Sequence, residues 1–305
     1  MAFEERYQQQ VRLLMRLLPI VAHEDCFALK GGTAINMFVR NLPRLSVDID
    51  LMYLPTHGRP EALAGIDFAM KRIAANIQKA VPGARVTPDI KDSTVLRLLV
   101  AADRTQVKIE VSPVLRGVVK EPSLQSVVAE VEDAFGFAEI TVVSFEDLYA
   151  GKLVAALDRQ HPRDLFDVRD LFANEGLTNE LRKTFLVYLL SHNRPMGEVL
   201  SGRVKDLTGE YRDGFEGMTE ISVSIDALIE IQQRLFAELI GEMPDEHRQF
   251  LLGFERGEPD WTLLDIPHAK ELPAVRWRQR NLDSLPSQKR DELVALLARS
   301  LQTHA

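Results

Sequence analysis

The chain has 305 residues, of which 46% are hydrophobic and 27% are charged, and its formal net charge is -8 at pH 7. This is ordinary globular composition in a chain long enough for two domains, while the negative charge argues against indiscriminate binding to nucleic-acid phosphates. The single cysteine, Cys26, excludes an internal disulfide and fits a reducing compartment. No basic segment followed by an apolar run opens the chain, and no stretch approaches about 18 apolar residues, so we expect a cytoplasmic protein without a membrane span.

The first 145 residues predict a mixture of helices and strands. Apolar residues recur at helical spacing from Glu4 to Ala22 and from about Arg59 to Ala80, and Phe27 to Leu29 form a short buried strand. Further strands are predicted at residues 47–51, 84–90, 94–101 and 106–111, the last of them ended by Pro113. This order indicates a mixed sheet with helices on one side.

A glycine pair follows the first strand. Gly31 and Gly32 permit a tight turn, and Thr33 is suited to cap the helix that comes next. The free N–H groups at the start of such a helix favour phosphate oxygens. The segment therefore predicts a phosphate-binding turn, with an ordinary glycine turn as the alternative.

Two aspartates lie one residue apart on the next predicted strand, Val47 to Leu51. The period of two puts Ile49 on the core face and puts Asp48 and Asp50 together on the opposite face. Neighbouring carboxylates repel each other, and a hard cation such as magnesium relieves that repulsion. A solvated strand face is the alternative, because short motifs of this kind recur by chance.

A third carboxylate, Glu110, lies on the polar face of the strand at residues 106–111. Three oxygen ligands on neighbouring strands beside a glycine turn suit a two-metal centre, which clamps the attacking and leaving oxygens of a phosphoryl or nucleotidyl transfer. The sequence therefore predicts a site for a nucleoside triphosphate and its magnesium.

A second cluster of charged residues follows Ser144, which begins a loose capping box. Lys152 and Arg159 are seven residues apart and share a face of one helix; beyond the break at His161-Pro162, Asp164 and Asp167 share a face of the next. From these residues alone, an exposed or ion-paired lysine and favourable charges in a first helical turn are the more common explanation.

The remainder of the chain predicts a mainly helical domain. Apolar residues recur at helical spacing in four segments, residues 181–193, 224–241, 247–257 and 291–302. Gly209, Gly214 and Gly217 indicate a loop between them. We therefore divide the chain into domains 1–145 and 146–305, with the second carrying Lys152 and Asp167.

The segments LKGGTAINMF, RLSVDIDL, VKIEVSP and FEDLYAGKLVAALDRQHPRDLFDV together resemble the AbiEii/AbiGii toxins. These are nucleotidyltransferases of type IV toxin–antitoxin and abortive-infection systems, within the superfamily that has the polymerase-beta-like fold. The resemblance covers roughly residues 20 to 175 and is most specific between Leu148 and Val168. It implies an α+β protein, in which a nucleotidyltransferase-fold mixed sheet with flanking helices precedes a mainly helical C-terminal domain.

The resemblance also implies roles for individual residues. Asp48, Asp50, Lys152 and Asp167 would be catalytic, and Asp48, Asp50 and Glu110 would bind two magnesium ions. Gly31, Gly32, Thr33 and Lys152 would contact the NTP, with Lys152 neutralising phosphate charge. Asp167 would orient Lys152 or act as a base toward the acceptor, and Asp164 would be its partner or a helix-start residue. Arg44 either touches a phosphate or caps a strand.

The implied reaction is transfer of a nucleoside monophosphate from an NTP to an acceptor, as in relatives that modify the acceptor end of tRNA and block translation. An antitoxin from a neighbouring gene is implied as a partner. Acceptors of other kinds, a small molecule or a protein hydroxyl, remain open, as does a non-catalytic scaffold that binds a nucleotide or a partner. The nucleotide that is used is not encoded in any motif.

A basic surface is expected near the C-terminus, where arginines surround an aromatic residue. Such an arrangement can hold a single-stranded RNA end through phosphates and base stacking, whereas a loop with Trp277 packed inward is the alternative. The residues are His268, Lys270, Arg276, Trp277, Arg278, Arg280, Lys289 and Arg290.

Overall fold

The computed structural model describes residues 3–302. The chain forms two compact units. The first runs to Leu148 and includes Glu216–Ser222; the second comprises Tyr149–Phe215 and the chain from Val223 onward. The segment Glu216–Ser222 departs from the two continuous ranges that we expected.

Backbone hydrogen bonds explain why this segment belongs to the first unit. The Leu45 N–H donates to the carbonyl oxygen of Met218 at 2.8 Å, and the Glu4 N–H donates to that of Gly217 at 3.2 Å. An isolated antiparallel bridge also joins Arg44 to Thr219. Such pairing depends on residues far apart in sequence, so local patterns do not reveal it.

The first unit contains both helices and strands, and β3 to β6 follow one another without a helix between them. Its helices are α1 (Glu5–Val21), α2 (Gly31–Ala34, continued by a π-helical turn Ile35–Val39), α3 (Arg59–Ala80) and α4 (Ala129–Phe135). Its strands are β1 (Phe27–Lys30), β2 (Asp48–Tyr53), β3 (Arg85–Lys91), β4 (Thr94–Ala102), β5 (Thr105–Arg116), β6 (Ser123–Ser126) and β7 (Glu139–Val142). The short elements β6, α4 and β7 were not anticipated from the sequence.

The seven strands form one sheet in the order β3-β4-β5-β2-β1-β7-β6. The pairs β2–β5 and β1–β7 are parallel, and the remaining neighbours are antiparallel. This confirms the expected α+β class and the mixed sheet. Apolar side chains of α1 and α3, including Leu14, Leu18, Ile66 and Ile73, are fully buried.

Pro113 does not end its strand, contrary to the sequence-based expectation. β5 continues to Arg116, and its register against β2 shifts between Leu51 and Tyr53. A bulge removes the need for a ladder N–H at that position, which proline cannot supply. The strand therefore passes through the proline.

The second unit is helical in its regular structure, within the described residues. Helix α5 (Phe145–Asp158) crosses the boundary between the units. The other helices are α6 (Pro162–Asn174), α7 (Asn179–Leu190), α8 (Met196–Val199), α9 (Thr208–Gly214), α10 (Ile225–Phe236, continued by a π-helical turn Ala237–Gly241), α11 (Asp245–Arg256), α12 (Pro273–Asp283) and α13 (Ser287–Gln302). Two 3-10 turns, Trp261–Leu263 and Pro267–Glu271, precede α12.

Two further expectations concern the glycines between residues 209 and 217 and a membrane span. Gly209 and Gly214 lie in the short helix α9 and only Gly217 lies in a loop, so the predicted glycine-rich loop is partly wrong. From residue 3 to residue 302, no helix combines the length and the apolar content needed to cross a membrane.

Candidate functional site

Five charged residues lie side by side across the sheet of the first unit. Lys30 pairs with Asp50, Asp50 with Glu110, Glu110 with Arg97, and Arg97 with Asp89. Residues paired across neighbouring strands point to the same face, so these five form one row, which we call the charged row. All five line a cavity of about 340 Å³.

The two aspartates of β2 occupy the polar face of their strand. Ile49 and Leu51 are fully buried, whereas Asp48 and Asp50 are half-buried. On the neighbouring strand β5, Lys108 lies opposite Asp48 and Glu110 lies opposite Asp50. The alternation read from the sequence therefore describes this strand correctly.

The glycine turn packs directly against Asp50. Gly31 has φ +76°, and a Cβ built on it would lie 2.6 Å from the Asp50 Oδ2. A Cβ on Gly32 would lie 2.7 Å from the Arg44 Nη2 and 3.0 Å from the Ser46 Oγ. Both positions therefore exclude a side chain, the first by backbone conformation as well as space.

Thr33 does not cap α2, contrary to expectation. Its side chain is buried, and its hydroxyl lies 2.5 Å from the Asp48 carbonyl oxygen and 3.0 Å from the Ser46 hydroxyl. These contacts tie the turn to the start of β2. The Thr33 hydroxyl is therefore already engaged, and the groups of the turn that could bind a ligand are its backbone N–H groups.

Arg44 is 2% exposed and donates from Nη1 to the Leu45 carbonyl oxygen at 2.9 Å. Its guanidinium also lies against Gly32. The Arg44 side chain therefore packs against the glycine turn and is shielded from solvent.

Glu110 is held by two cations. Its carboxylate lies 2.9 Å from the Arg97 guanidinium and 2.9 Å from the Lys108 ammonium. Burial by itself would raise the pKa of Glu110, but hydrogen bonds from Arg97 and Lys108 outweigh it and lower that pKa. Burial likewise opposes charge on Lys108, yet Glu110, Asp48 and Asp50 raise the pKa of Lys108.

These contacts bear on the expected magnesium site. Asp48 and Asp50 offer hard oxygen ligands on one face, which suits Mg²⁺. Glu110 is engaged by Arg97 and Lys108, and in the described part of the chain no group of three or more His, Cys, Asp and Glu side chains is arranged to hold a metal ion. The aspartate pair fits the ion; Glu110 in its present contacts does not.

One of the two hydrogen bonds of the capping box predicted before α5 is present. The Ser144 Oγ accepts a hydrogen bond from the Asp147 N–H at 3.0 Å. The Asp147 carboxylate accepts from the backbone N–H groups of Val119 and Lys120, each at 2.8 Å. Asp147 therefore joins the first turn of the helix to a loop of the first unit.

The second cluster is a buried ion-pair network within the second unit. The Lys152 ammonium is 2.7 Å from the Asp164 carboxylate and 2.9 Å from that of Asp167. Both aspartates are fully buried and Lys152 is 6% exposed. Arg159 reaches the other oxygen of Asp164 at 2.5 Å. The exposed-lysine alternative is therefore wrong, whereas the ion-pair alternative describes a contact that exists.

Asp164 is the residue on which the two cations converge. Burial would raise the pKa of its carboxyl, but the charges and hydrogen bonds of Lys152 and Arg159 lower that pKa well below its ordinary value. Asp164 is thus a fixed anion that orients Lys152. The helix faces predicted from the sequence indicated this cluster. The burial of its residues could not be read from the sequence.

The basic C-terminal segment contains one exposed aromatic residue. Trp277 lies on α12 and is 58% exposed, so the inward-packed loop is wrong. Arg276 and Arg280 are exposed beside it. Arg278 is different, because its guanidinium is largely buried and donates to the carbonyl oxygens of His192 and Arg194.

Sequence reasoning missed Lys30, Asp89, Arg97 and Lys108 as members of the site. Their positions on the polar faces of strands were readable from the alternation. What brings them to Asp50 and Glu110 is the pairing of strands distant in sequence, which no local pattern records.

Comparisons with known proteins give a family and a similar fold. The family model "Nucleotidyl transferase AbiEii toxin, Type IV TA system" matches residues 12–280. A solved structure, MenT4, the nucleotidyltransferase toxin Rv2826c from Mycobacterium tuberculosis H37Rv, is similar in fold. It has a TM-score of 0.61 and 16% sequence identity, and the alignment covers 90% of this chain and 93% of MenT4. No curated protein matched the sequence.

The family match spans the glycine turn, the aspartate pair, strand β5 with Glu110, and the Lys152 cluster. It extends well past the segments that carried the resemblance and includes most of the helical unit. The chain therefore belongs to the AbiEii family of type IV toxin–antitoxin nucleotidyltransferase toxins.

Proposed function

We propose that this nucleotidyltransferase toxin moves a nucleoside monophosphate from an NTP to the terminal hydroxyl of an RNA, the acceptor end of tRNA, and so blocks translation. The observation that carries the proposal is the packing of Gly31 on the Asp50 carboxylate, which joins a phosphate-binding turn to a pair of metal-ligand candidates. NTP and tRNA are both cytoplasmic, and we propose that the toxin acts there.

In the proposed step, the acceptor oxygen forms a bond to the α-phosphorus of the NTP. The bond from that phosphorus to the oxygen bridging to the β-phosphate breaks, pyrophosphate leaves with the bonding electrons, and the hydroxyl proton passes to solvent. Asp48 and Asp50 would hold the magnesium ions, which supply charge neutralisation and a lowered pKa at the acceptor hydroxyl when bound. The N–H groups of Gly31, Gly32 and Thr33 would bind phosphate oxygens.

Lys152 is proposed to neutralise charge on the NTP phosphates, a role that suits a compact ammonium. Its contacts with Asp164 and Asp167 favour a positioning role for both aspartates. Asp167 is fully buried beside Lys152, which supports orientation of that lysine over proton transfer from an acceptor.

Two features favour RNA over a small molecule or a protein as acceptor. Trp277 offers an exposed ring for base stacking, and Arg276 and Arg280 offer charge for phosphates.

Membership of a type IV toxin–antitoxin family implies an NTP substrate and a cognate antitoxin. We propose that a neighbouring gene encodes that antitoxin.

The test is incubation of the purified protein with each α-labelled NTP, magnesium and total cellular RNA. An Asp48→Ala/Asp50→Ala variant is the control. Label in the tRNA band with the intact protein alone supports the proposal and identifies the nucleotide. Magnesium-dependent NTP binding without transfer to RNA would point to a small-molecule or protein acceptor and overturn the RNA assignment.

A further inference from the structure

We propose that Arg97 and Lys91, at the β3–β4 end of the cavity, form a subsite for the backbone phosphate of the acceptor RNA. The inference rests on the proposed function, because it assigns the acceptor to one side of the same cavity. The proposed ligand is a polynucleotide, and it occupies a different end of the cavity from the end that meets the NTP.

The order of the charged row separates the two ends. The glycine turn begins one residue after Lys30, on the β1 side of Asp50. Arg97 and Asp89 lie on the other side of Asp50, beyond Glu110. If phosphates of the NTP occupy the turn, they take the β1 side of Asp50 and leave the side of Glu110 and Arg97 to the acceptor.

The end of the cavity beyond Glu110 carries two cations, Lys91 and Arg97, and one carboxylate, Asp89. Lys91 is exposed and has no ion pair within residues 3–302. Arg97 lies 3.4 Å from Asp89 and 2.9 Å from Glu110, so two of its five N–H donors have partners. Guanidinium donors suit phosphate oxygens, and an unpaired lysine adds a point charge beside them.

The same cavity also offers apolar surface. Leu96 and Pro113, each partly exposed, line it. A nucleotide presents an apolar ring face together with a phosphate, so a mixed lining of this kind suits a nucleotide unit better than a free phosphate ion.

The topology leaves this end open to a polymer. β3 is the edge strand of the sheet, and within residues 3–302 no strand lies beyond it. Its last residue is Lys91. An RNA whose terminal hydroxyl reaches Asp50 can therefore continue past Lys91 without meeting another strand.

The test uses the full chain with the substitutions Lys91→Gln and Lys91→Gln/Arg97→Gln. Lys79→Gln is the matched control, because Lys79 is an exposed lysine of the same unit that does not line the cavity. Transfer rates are measured with tRNA and NTP varied separately. Binding of a fluorescein-labelled single-stranded RNA is measured by anisotropy as a function of salt, without NTP.

We expect Lys91→Gln to raise the KM for tRNA about tenfold, the effect of losing one charge-assisted hydrogen bond, with an unchanged KM for NTP. The slope of log affinity against log salt should fall in magnitude by about 0.7 for each lost contact with a single strand. Lys91 is exposed, so its substitution keeps the fold and carries the test even where Arg97→Gln disturbs Glu110.

An active enzyme whose tRNA KM and RNA affinity are unchanged in both variants would overturn the subsite while leaving the proposed function intact. A raised KM for NTP instead would assign these cations to the triphosphate and overturn it equally. Absence of transfer to RNA by the unsubstituted protein would refute the proposed function, and the anisotropy measurement would then judge the subsite by itself.

Discussion

The carboxylate of Asp50 occupies the space that a side chain at Gly31 would require, with the Oδ2 only 2.6 Å from the position of a Cβ. The turn expected to bind phosphate and the strand expected to bind metal are therefore in direct contact. Any displacement of one is transmitted to the other.

Gly31→Ala should abolish most nucleotidyl transfer. The backbone strain of an alanine at φ +76° costs about 1–3 kcal/mol, and the contact with Asp50 adds displacement of the carboxylate. A shift of about 1 Å at a reacting group can cost about 100-fold in rate. The measurement is the rate of NMP transfer together with a thermal melt.

Gly83→Ala is the control for this prediction. Gly83 has φ +74°, but a Cβ there meets nothing within 4 Å. It should lose comparable stability and keep its activity. Equal activity in the two variants would show that Gly31 matters for stability alone.

Lys152→Ala should destabilise the second unit as well as impair catalysis. Removing one partner of a buried ion pair leaves uncompensated charge, which costs about 3–5 kcal/mol. The measurement is urea denaturation, with transfer rates taken below the melting temperature of the variant. An unchanged free energy of unfolding would contradict a buried network around Lys152.

The deficit of Lys152→Ala should also depend on pH. The folded-state pKa of Asp164 lies below its ordinary value, so the stabilisation from this carboxylate is complete above about pH 4 and is lost as the pH falls through the folded value. The difference between the parent protein and the variant should be full at neutral pH and shrink in acid. A difference that is constant from pH 7 to pH 3 would rule out Asp164 as the source.

Lys108→Met should increase the stabilisation that magnesium confers. Lys108 lies 2.9 Å from Glu110 and 4.0 Å from Asp48, and it offsets part of the charge of the aspartate pair. Without it, carboxylate repulsion rises and a divalent cation binds more favourably. Melting temperatures with MgCl₂ and with KCl at equal ionic strength measure the effect.

Lys79→Met serves as the control, because Lys79 is exposed on α3 and does not line the cavity. Its magnesium response should match that of the parent protein. A smaller magnesium effect in Lys108→Met than in the parent would mean that Lys108 assists the ion rather than substituting for it.

Trp277→Ala should weaken RNA binding without unfolding the protein. Loss of stacking on one base costs about 1–3 kcal/mol, or about 5- to 150-fold in affinity. Phe137→Ala is matched in exposure, since both rings are 58% exposed, and Phe137 belongs to the first unit rather than to the basic segment. Equal RNA affinities in the two variants would remove Trp277 from the acceptor surface.

Local periodicity accounts for much of what was predictable. The helix expected from about Arg59 to Ala80 has those bounds, and the strands near residues 84–90 and 94–101 differ from β3 and β4 by a residue at most. These elements depend on neighbours in sequence, so a pattern of two or 3.6 residues suffices to find them. Short elements such as β6 and β7 carry too few residues to show a period.

Thr33 and Pro113 illustrate why local rules fail at particular residues. Thr33 resembles a helix cap in sequence, but the Asp48 carbonyl oxygen is available to its hydroxyl only after β2 has paired with β1. Pro113 resembles a strand end, but the register shift against β2 lets the strand continue. In both cases a partner distant in sequence decides the outcome.

By itself, the sequence determined the family, the helices and strands with strong periodicity, and the common face of Asp48 and Asp50. Only the tertiary structure decided that β2 lies between β1 and β5, which sets Asp50 between Lys30 and Glu110. It also decided that Lys152 is buried against two aspartates. The physical reason is that alternation arises within one segment, whereas strand order, register and burial arise from hydrogen bonds and packing between segments far apart in the chain.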